Sequence, residues 1–222
     1  VVIIFVSAVV NRVVFTKGCK DFVAYVLGFN NWWQIFNKVS YFEAAGAPSP
    51  FTHCWSLAIE TQFYLIYPIL LLLLARVVRG RKKRGKVFAI VSALLAVVSM
   101  ILMAVLYNPN GDPSRVYYGT DTRAFSLLIG ALAAIQLEYR IIKVRLPRKI
   151  WALIGSISLV ILTCMMIFIS SYSSFLYYGG QVILSVLTAF VVYAVTVSRS
   201  ILNKILGDNA LKWIGDRSYS IY

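Results

Sequence analysis

The sequence has few charged residues, and acidic residues are especially scarce. Only 8 of its 222 residues are Asp or Glu, and apolar residues make up 60%. Charged residues make up 14% of the chain, whereas soluble proteins contain about 25%. So few charges cannot cover a surface that faces water, which excludes a soluble globular domain and an intrinsically disordered chain. The composition predicts an all-α, multi-pass transmembrane helical bundle.

Histidine and cysteine are also rare, and their scarcity excludes several kinds of site. His53 is the only histidine, so a multi-histidine metal centre is excluded. The three cysteines, Cys19, Cys54 and Cys164, show no CxxC spacing. We therefore expect neither a zinc site nor a disulfide framework.

Basic residues are the exception, and they occur in clusters between apolar segments. Of 22 Lys and Arg, seven lie in 76–86, five in 140–149 and four in 199–217. In a soluble chain the net charge of +14 would suggest a nucleic-acid partner. No basic cluster here is interleaved with aromatic residues as in single-strand binders. The positive-inside rule instead predicts that these loops are cytoplasmic, which leaves 37–56, 108–122 and 171–176 outside.

Five segments have the length and apolarity of membrane-spanning helices, which need about 20 residues. They are Leu57–Val78, Val87–Tyr107, Arg123–Tyr139, Ile150–Ser170 and Tyr177–Ser198. Phe22–Phe36 is shorter and contains tandem tryptophans, which is typical of an interfacial or re-entrant helix. The chain begins within an apolar run without an initiating Met. We therefore expect residues 1–222 to be an internal piece of a larger membrane domain.

Polar side chains form one stripe along the first full span. A helix through residues 53–74 turns 100° per residue and places five of them within about 80° of its circumference. They are His53, Ser56, Glu60, Tyr64 and Tyr67. Gln62 falls on the opposite side. Ionisable groups within a span are costly and are functional candidates, so we expect the stripe to face the bundle interior. For His53 interfacial packing is the alternative, and for Glu60 structural pairing with a base such as Arg123.

A second group of polar residues lies in 114–123, with the sequence SRVYYGTDTR. Tyr117, Asp121 and Arg123 are its candidate site residues. Thr120 or Asp121 would also cap the helix that follows, and the helix dipole favours Asp121. Capping accounts for one residue and leaves the density of Tyr and Arg unexplained.

Several motifs, in order along the chain, resemble the acyltransferase 3 family of integral membrane acyltransferases. They are THCWSLAIETQFYLIYP at 52–68, RVYYGTDTR at 115–123, NWW at 31–33 followed by SYFE at 40–43, and IGDRSYSIY at 214–222. Within the family, the bacterial peptidoglycan and lipopolysaccharide O-antigen O-acetyltransferases are most similar. The resemblance implies a bundle of about ten helices, of which this chain is a part and, alone, inactive.

The resemblance also implies a reaction. Acetyl-CoA in the cytoplasm is the acyl donor, a glycan outside the bacterial plasma membrane is the acceptor, and an appended extracytoplasmic esterase-like domain often completes the transfer. Tyr64 and Tyr117 match tyrosines suspected as acyl carriers or acceptors. His53, Glu60, Asp121 and Arg123 match the family's polar positions, so all six are candidate catalytic residues.

Two other classes of protein remain open from the residues alone. A secondary transporter would also carry polar residues on its spans, although the sequence shows neither an internal repeat nor a pair of broken spans. A structural membrane subunit would leave the polar stripe without a role.

Overall fold

The computed structural model describes residues 12–42, 51–142, 146–198 and 201–221, and these parts of the chain are helical, without a strand. The described part of the chain forms ten α-helices: α1 Arg12–Val26, α2 Asn30–Phe36, α3 Trp55–Val77, α4 Arg81–Leu106, α5 Ser114–Tyr118, α6 Thr120–Tyr139, α7 Arg148–Phe168, α8 Gln181–Val197, α9 Ile201–Leu206 and α10 Asn209–Ile221. A 3₁₀ turn at Thr52–Cys54 leads into α3, and a π-helical turn at Leu176–Gly180 leads into α8. The all-α prediction is confirmed.

Within the described ranges, four helices are long and apolar enough to cross a membrane: Thr52–Val77, Arg81–Leu106, Arg148–Phe168 and Leu176–Val197. They coincide with four of the five predicted spans. The fifth, Arg123–Tyr139, is helical within α6 but does not meet the same standard of apolarity, because charged residues lie near both of its ends. Large apolar side chains stay exposed along the long helices, for example Leu72, Val105 and Met166. Such surfaces are stable in contact with lipid.

The predicted interfacial segment Phe22–Phe36 is two helices rather than one. The chain breaks between α1 and α2 at Gly28, whose φ of +72° is readily accessible only to glycine. The break turns α2 so that Asn30 and Asn31 are fully buried. The segment therefore brings polar amides into the protein interior.

The chain divides into two compact units. The described residues of the first are those up to Arg79 together with Leu94–Leu127. Its apolar core is built on Trp55, Ile59 and Tyr118. Phe51 packs against the rings of Phe22 and Tyr25, with centroids 5.5 and 6.3 Å away, and so joins α1 to the turn before α3.

The second unit contains Gly80–Ala93 and the described residues from Leu128 onward, and its centre is the antiparallel pair α7 and α8. Trp151 and Tyr193 pack with ring centroids 4.5 Å apart. Gly155 lies directly against Ala194, and a Cβ on Gly155 would be 2.5 Å from the Ala194 Cβ. Small residues that permit close approach of backbones are typical of helix pairs in membranes.

We expect Gly155→Ala to destabilise the second unit, because its new methyl group must push α7 away from α8. Overpacking of this kind costs about 1–3 kcal/mol. Gly130→Ala is the matched control, since no atom of the described residues lies within 4 Å of the Cβ position there. Thermal unfolding of the full-length protein in detergent should show a lower midpoint for Gly155→Ala only. Equal midpoints for the two variants would contradict the close packing.

Candidate functional site

Tyr117 lies in a cluster of aromatic rings in the first unit. Its ring stacks on Tyr41 with a centroid distance of 4.6 Å, and it packs against Trp55 at 4.8 Å and Phe42 at 5.2 Å. The short helix α5 begins after Pro113 and ends before Gly119, and it presents Tyr117 to the start of α3. Three separate parts of the chain therefore hold one phenol.

Arg123 extends over Tyr117 from the first turns of α6. Its guanidinium carbon is 4.3 Å from the centroid of the Tyr117 ring and 5.5 Å from that of Trp55. Its Nε also donates a hydrogen bond to the Tyr117 carbonyl oxygen at 3.1 Å. Burial raises the pKa of the Tyr117 phenol, and the positive charge of Arg123 opposes that rise. The phenol is thus neutral at neutral pH and lies beside a cation that stabilises negative charge on its oxygen.

Asp121 forms an ion pair with Arg115 rather than with Arg123. The two contacts are bidentate, Arg115 Nη2 to Asp121 Oδ2 at 2.8 Å and Nη1 to Oδ1 at 3.1 Å. Arg115 also stacks over the Trp32 ring at 5.4 Å. Gly119 lies against the pair, and a Cβ there would clash with Arg115 and with Asp121. Sequence analysis did not propose Arg115 as a site residue, although its spacing from Asp121 allows this pairing.

Ser114 holds the segment before the aromatic cluster. Its hydroxyl donates to Asp112 Oδ1 at 2.5 Å and accepts a hydrogen bond from the Tyr41 backbone N–H at 2.8 Å. The Ser114 backbone N–H donates to the same Asp112 oxygen at 3.0 Å. Tyr41 is therefore positioned against Tyr117 by its main chain as well as by its ring.

A closed ring of hydrogen bonds joins Asn31, Thr120 and Gln62. Asn31 Nδ2 donates to Thr120 Oγ1 at 2.8 Å, Thr120 Oγ1 donates to Gln62 Oε1 at 2.6 Å, and Gln62 Nε2 donates to Asn31 Oδ1 at 2.9 Å. We call these three side chains the polar ring. It links α2, α3 and the start of α6.

The polar ring was not found by sequence analysis. Gln62 lies on the side of α3 opposite the predicted stripe, and Asn31 lies in a segment interpreted as interfacial. The available signal was the cost of a polar side chain within an apolar helix, which applies to Gln62 as much as to Glu60.

Further buried polar groups lie on α1 and α2. Asn30 donates to the Phe51 carbonyl oxygen at 2.8 Å, and Gln34 Nε2 donates to Asn30 Oδ1 at 3.2 Å. Asp21 accepts a hydrogen bond from the Trp33 indole at 2.8 Å. The tandem tryptophans of α2 thus bond to protein groups.

The predicted stripe on α3 does not form the buried side of that helix within the described part of the chain. Tyr64 is 63% exposed, His53 is exposed and Glu60 is half-buried, whereas Trp55, Leu57 and Ile59 are buried. The apolar side of α3 packs against α2 and α5, and the expectation that the stripe faces the bundle interior stays a prediction.

Of the six predicted site residues, the structure places Arg123 against Tyr117, whereas Asp121 pairs with Arg115 in the same segment. Among the described residues, no ion pair joins Glu60 to Arg123, and no ring contact or hydrogen bond joins Tyr64 to Tyr117. Tyr64 lies nine residues beyond Trp55, or about 14 Å along the helix axis. Their roles stay predictions.

Tyr118 is fully buried beside the site, and its hydroxyl has no hydrogen-bond partner among the described residues. Burial raises the pKa of this phenol, and the nearby Asp112 carboxylate raises it further. A buried hydroxyl without a partner costs about 1–3 kcal/mol.

We expect Tyr118→Phe to leave the stability of the full-length protein unchanged or to increase it, because the variant removes a hydroxyl that has no partner in the folded state. Tyr177→Phe is the matched control: Tyr177 is equally buried, and its hydroxyl donates to the Ser171 carbonyl oxygen at 3.0 Å. Thermal unfolding should therefore show a loss of about 1 kcal/mol for the Tyr177 variant alone. A larger loss for Tyr118→Phe would contradict this account.

Comparison with known proteins identifies the family. An acyltransferase domain family matches residues 2–222. The chain is 43% identical over 206 residues to "Putative peptidoglycan O-acetyltransferase YrhL" of Bacillus subtilis, covering 91% of this chain and 32% of that protein. It is 42% identical over 205 residues to the peptidoglycan O-acetyltransferase OatA of Listeria monocytogenes, covering 91% and 32% respectively.

The chain therefore spans about a third of the length of the relatives that it matches. No solved structure gives a significant match. The family match covers almost every residue, and it includes the motifs around Trp55 and Tyr117 that build the site. The chain belongs to the acyltransferase 3 family of membrane proteins.

Proposed function

We propose that the protein containing this chain is a membrane O-acetyltransferase that moves an acetyl group from cytoplasmic acetyl-CoA to hydroxyls of peptidoglycan outside the bacterial plasma membrane. The names of the relatives support the reaction and the acceptor. Family membership favours an acyltransferase over the transporter and the structural subunit. The observation that carries the proposal is Tyr117, a phenol held between Tyr41 and the Arg123 guanidinium.

The site and the main basic cluster lie at opposite ends of α3. Trp55 begins this helix beside Tyr117, and Arg76 and Arg79 lie at its other end, before the exposed residues Arg81, Lys82 and Lys83. A helix of 23 residues is about 35 Å long, enough to cross a bilayer. In our proposal the basic end faces the cytoplasm and attracts the phosphates of CoA, and the Tyr117 end faces the glycan.

A covalent relay through Tyr64 and then Tyr117 would divide the transfer into easier reactions. At Tyr117, the phenol oxygen attacks the carbonyl carbon of the acetyl ester that Tyr64 carries, the ester C–O bond breaks, and the phenolic proton passes to the Tyr64 oxygen. A glycan hydroxyl then attacks the Tyr117 ester, and its proton returns to the Tyr117 phenol. Arg123 would stabilise the negative charge that develops near Tyr117. Asp121 would act indirectly, by fixing Arg115.

Tyr64 and Glu60 have a different place in this proposal. Tyr64 lies on α3 between the two ends, and Glu60 lies one turn before it. Glu60 would accept the Tyr64 proton while the Tyr64 oxygen attacks the acetyl carbonyl carbon of acetyl-CoA. The C–S bond breaks and CoA leaves as the thiol with that proton, so Tyr64 is the earlier acyl carrier. His53, at the outer end of α3, would contact the acceptor. An extracytoplasmic domain of the same protein would then present the glycan.

The test is the ester-linked acetate that mild alkali releases from purified peptidoglycan of cells making the full-length protein. Tyr117→Phe removes only the hydroxyl and keeps the ring in the aromatic cluster. We expect acetate to fall at least tenfold at equal membrane abundance, because the acyl-accepting oxygen is lost.

Tyr172→Phe is the control, since Tyr172 is exposed in the second unit, and its acetate should equal that of the unmodified protein. Normal acetate with Tyr117→Phe would remove this residue from the acyl path. Peptidoglycan without acetate in cells making the unmodified protein would contradict the proposed acceptor.

A further inference from the structure

We propose that the polar ring of Asn31, Thr120 and Gln62 is the positioning device of the acyl-transfer site, and that these are positioning residues rather than structural ones alone. The inference rests on the proposed function and extends it. Every member lies outside the six residues predicted from the sequence. The evidence is the set of contacts that each ring member makes besides the ring itself.

The hydrogen-bonding groups of the ring are almost fully used. Asn31 donates its second N–H to the Tyr118 carbonyl oxygen at 3.0 Å, and Gln62 donates its second N–H to the Gly28 carbonyl oxygen at 2.8 Å. The Thr120 hydroxyl both donates and accepts. With no spare donor, the three side chains have one mutual orientation, and any rotation breaks at least two hydrogen bonds.

The polar ring is connected to three groups near the site: the backbone after Tyr117, the Asp121 carboxylate and the Arg115 guanidinium. The bond from Asn31 to the Tyr118 carbonyl fixes the backbone directly after Tyr117. Thr120 directly precedes Asp121. The hydrogen bonds of the Thr120 hydroxyl therefore fix the chain beside the ion pair between Asp121 and Arg115.

Arg115, the other member of the pair, is reached through Trp32. The Trp32 indole N–H donates to Gln62 Oε1 at 3.4 Å, and the same indole ring lies beneath the Arg115 guanidinium. Gln62 therefore orients the Trp32 ring on which Arg115 lies, and Thr120 orients Asp121, the carboxylate that pairs with Arg115.

Burial explains why the polar ring fixes the positions of the site residues and does not only stabilise the fold. Asn31 is 0% exposed, and Gln62 and Thr120 are half-buried, so water has limited access to these bonds. Apolar residues of similar volume could join the same helices with equal or greater stability. They would leave rotation about each helix less defined, and displacement of a reacting group by about 1 Å can cost 100-fold in rate.

The experiment compares Thr120→Val, Thr120→Ala and Thr120→Ser in the full-length protein, purified in detergent. Valine keeps the shape of threonine and removes its hydroxyl, alanine leaves room for a water molecule, and serine restores the hydroxyl. Thr163→Val is the matched control, because the exposed Thr163 hydroxyl bonds only within its own helix, to Leu159 O at 2.8 Å. Acetyl transfer from acetyl-CoA to a soluble glycan fragment gives kcat and KM, and thermal unfolding is followed in parallel.

We expect Thr120→Val to lower kcat roughly 10- to 100-fold, with KM for acetyl-CoA changed less than twofold. The unfolding midpoint should fall modestly, because Asn31 and Gln62 each lose one hydrogen-bond partner. Thr120→Ser should recover most of kcat, and Thr163→Val should behave as the unmodified protein. Thr120→Ala provides the same comparison where valine lowers abundance.

Three results would overturn the inference. They are a lower unfolding midpoint with normal kcat per folded molecule, a raised KM with normal kcat, and a loss of kcat that serine does not restore. A well-folded unmodified protein without any transfer would instead refute the proposed function on which the inference depends.

Discussion

Polar groups buried between apolar helices must be satisfied by one another, and this constraint shapes the first unit of the chain. Asn31, Gln62 and Thr120 come from three separate helices and close a hydrogen-bonded ring. Its formation requires the break at Gly28, because only then does α2 direct its amides inward. The aromatic cluster packs around the backbone that the ring holds, so the site geometry depends on buried hydrogen bonds more than on apolar packing.

Arg115 and Arg123, both in the first unit, have different surroundings. Arg115 is neutralised by Asp121 and supported by Trp32, which suits a structural cation. Arg123 instead lies over the Tyr117 ring and bonds its main chain. Burial alone would make the phenol a poor nucleophile, since it raises the pKa. A nearby cation that favours the phenolate is therefore the feature that makes acyl chemistry at Tyr117 reasonable.

The long helices could be predicted from the sequence, because apolar runs long enough to cross a membrane are a strong signal. Four of the predicted spans agree with helices in the structure. The sequence was also sufficient to place Tyr117 and Arg123 together, since they lie within seven residues. It failed for Gln62 and Asn31, because partners 31 residues apart depend on how α2 turns, which no periodicity describes. The 100° rule predicts that polar residues share one side of α3, but it does not show which side packs against α2 and α5, because neighbouring helices determine that.

The most direct test of the central claim is to locate the acyl group on the protein. The full-length enzyme would be incubated with acetyl-CoA carrying an isotopically labelled acetyl group, without acceptor, quenched in acid, digested and sequenced by mass spectrometry. The account predicts a label on the Tyr117 oxygen, lost on addition of glycan at the rate of turnover. A label that is absent from Tyr117, or that persists there when glycan is added, would contradict it.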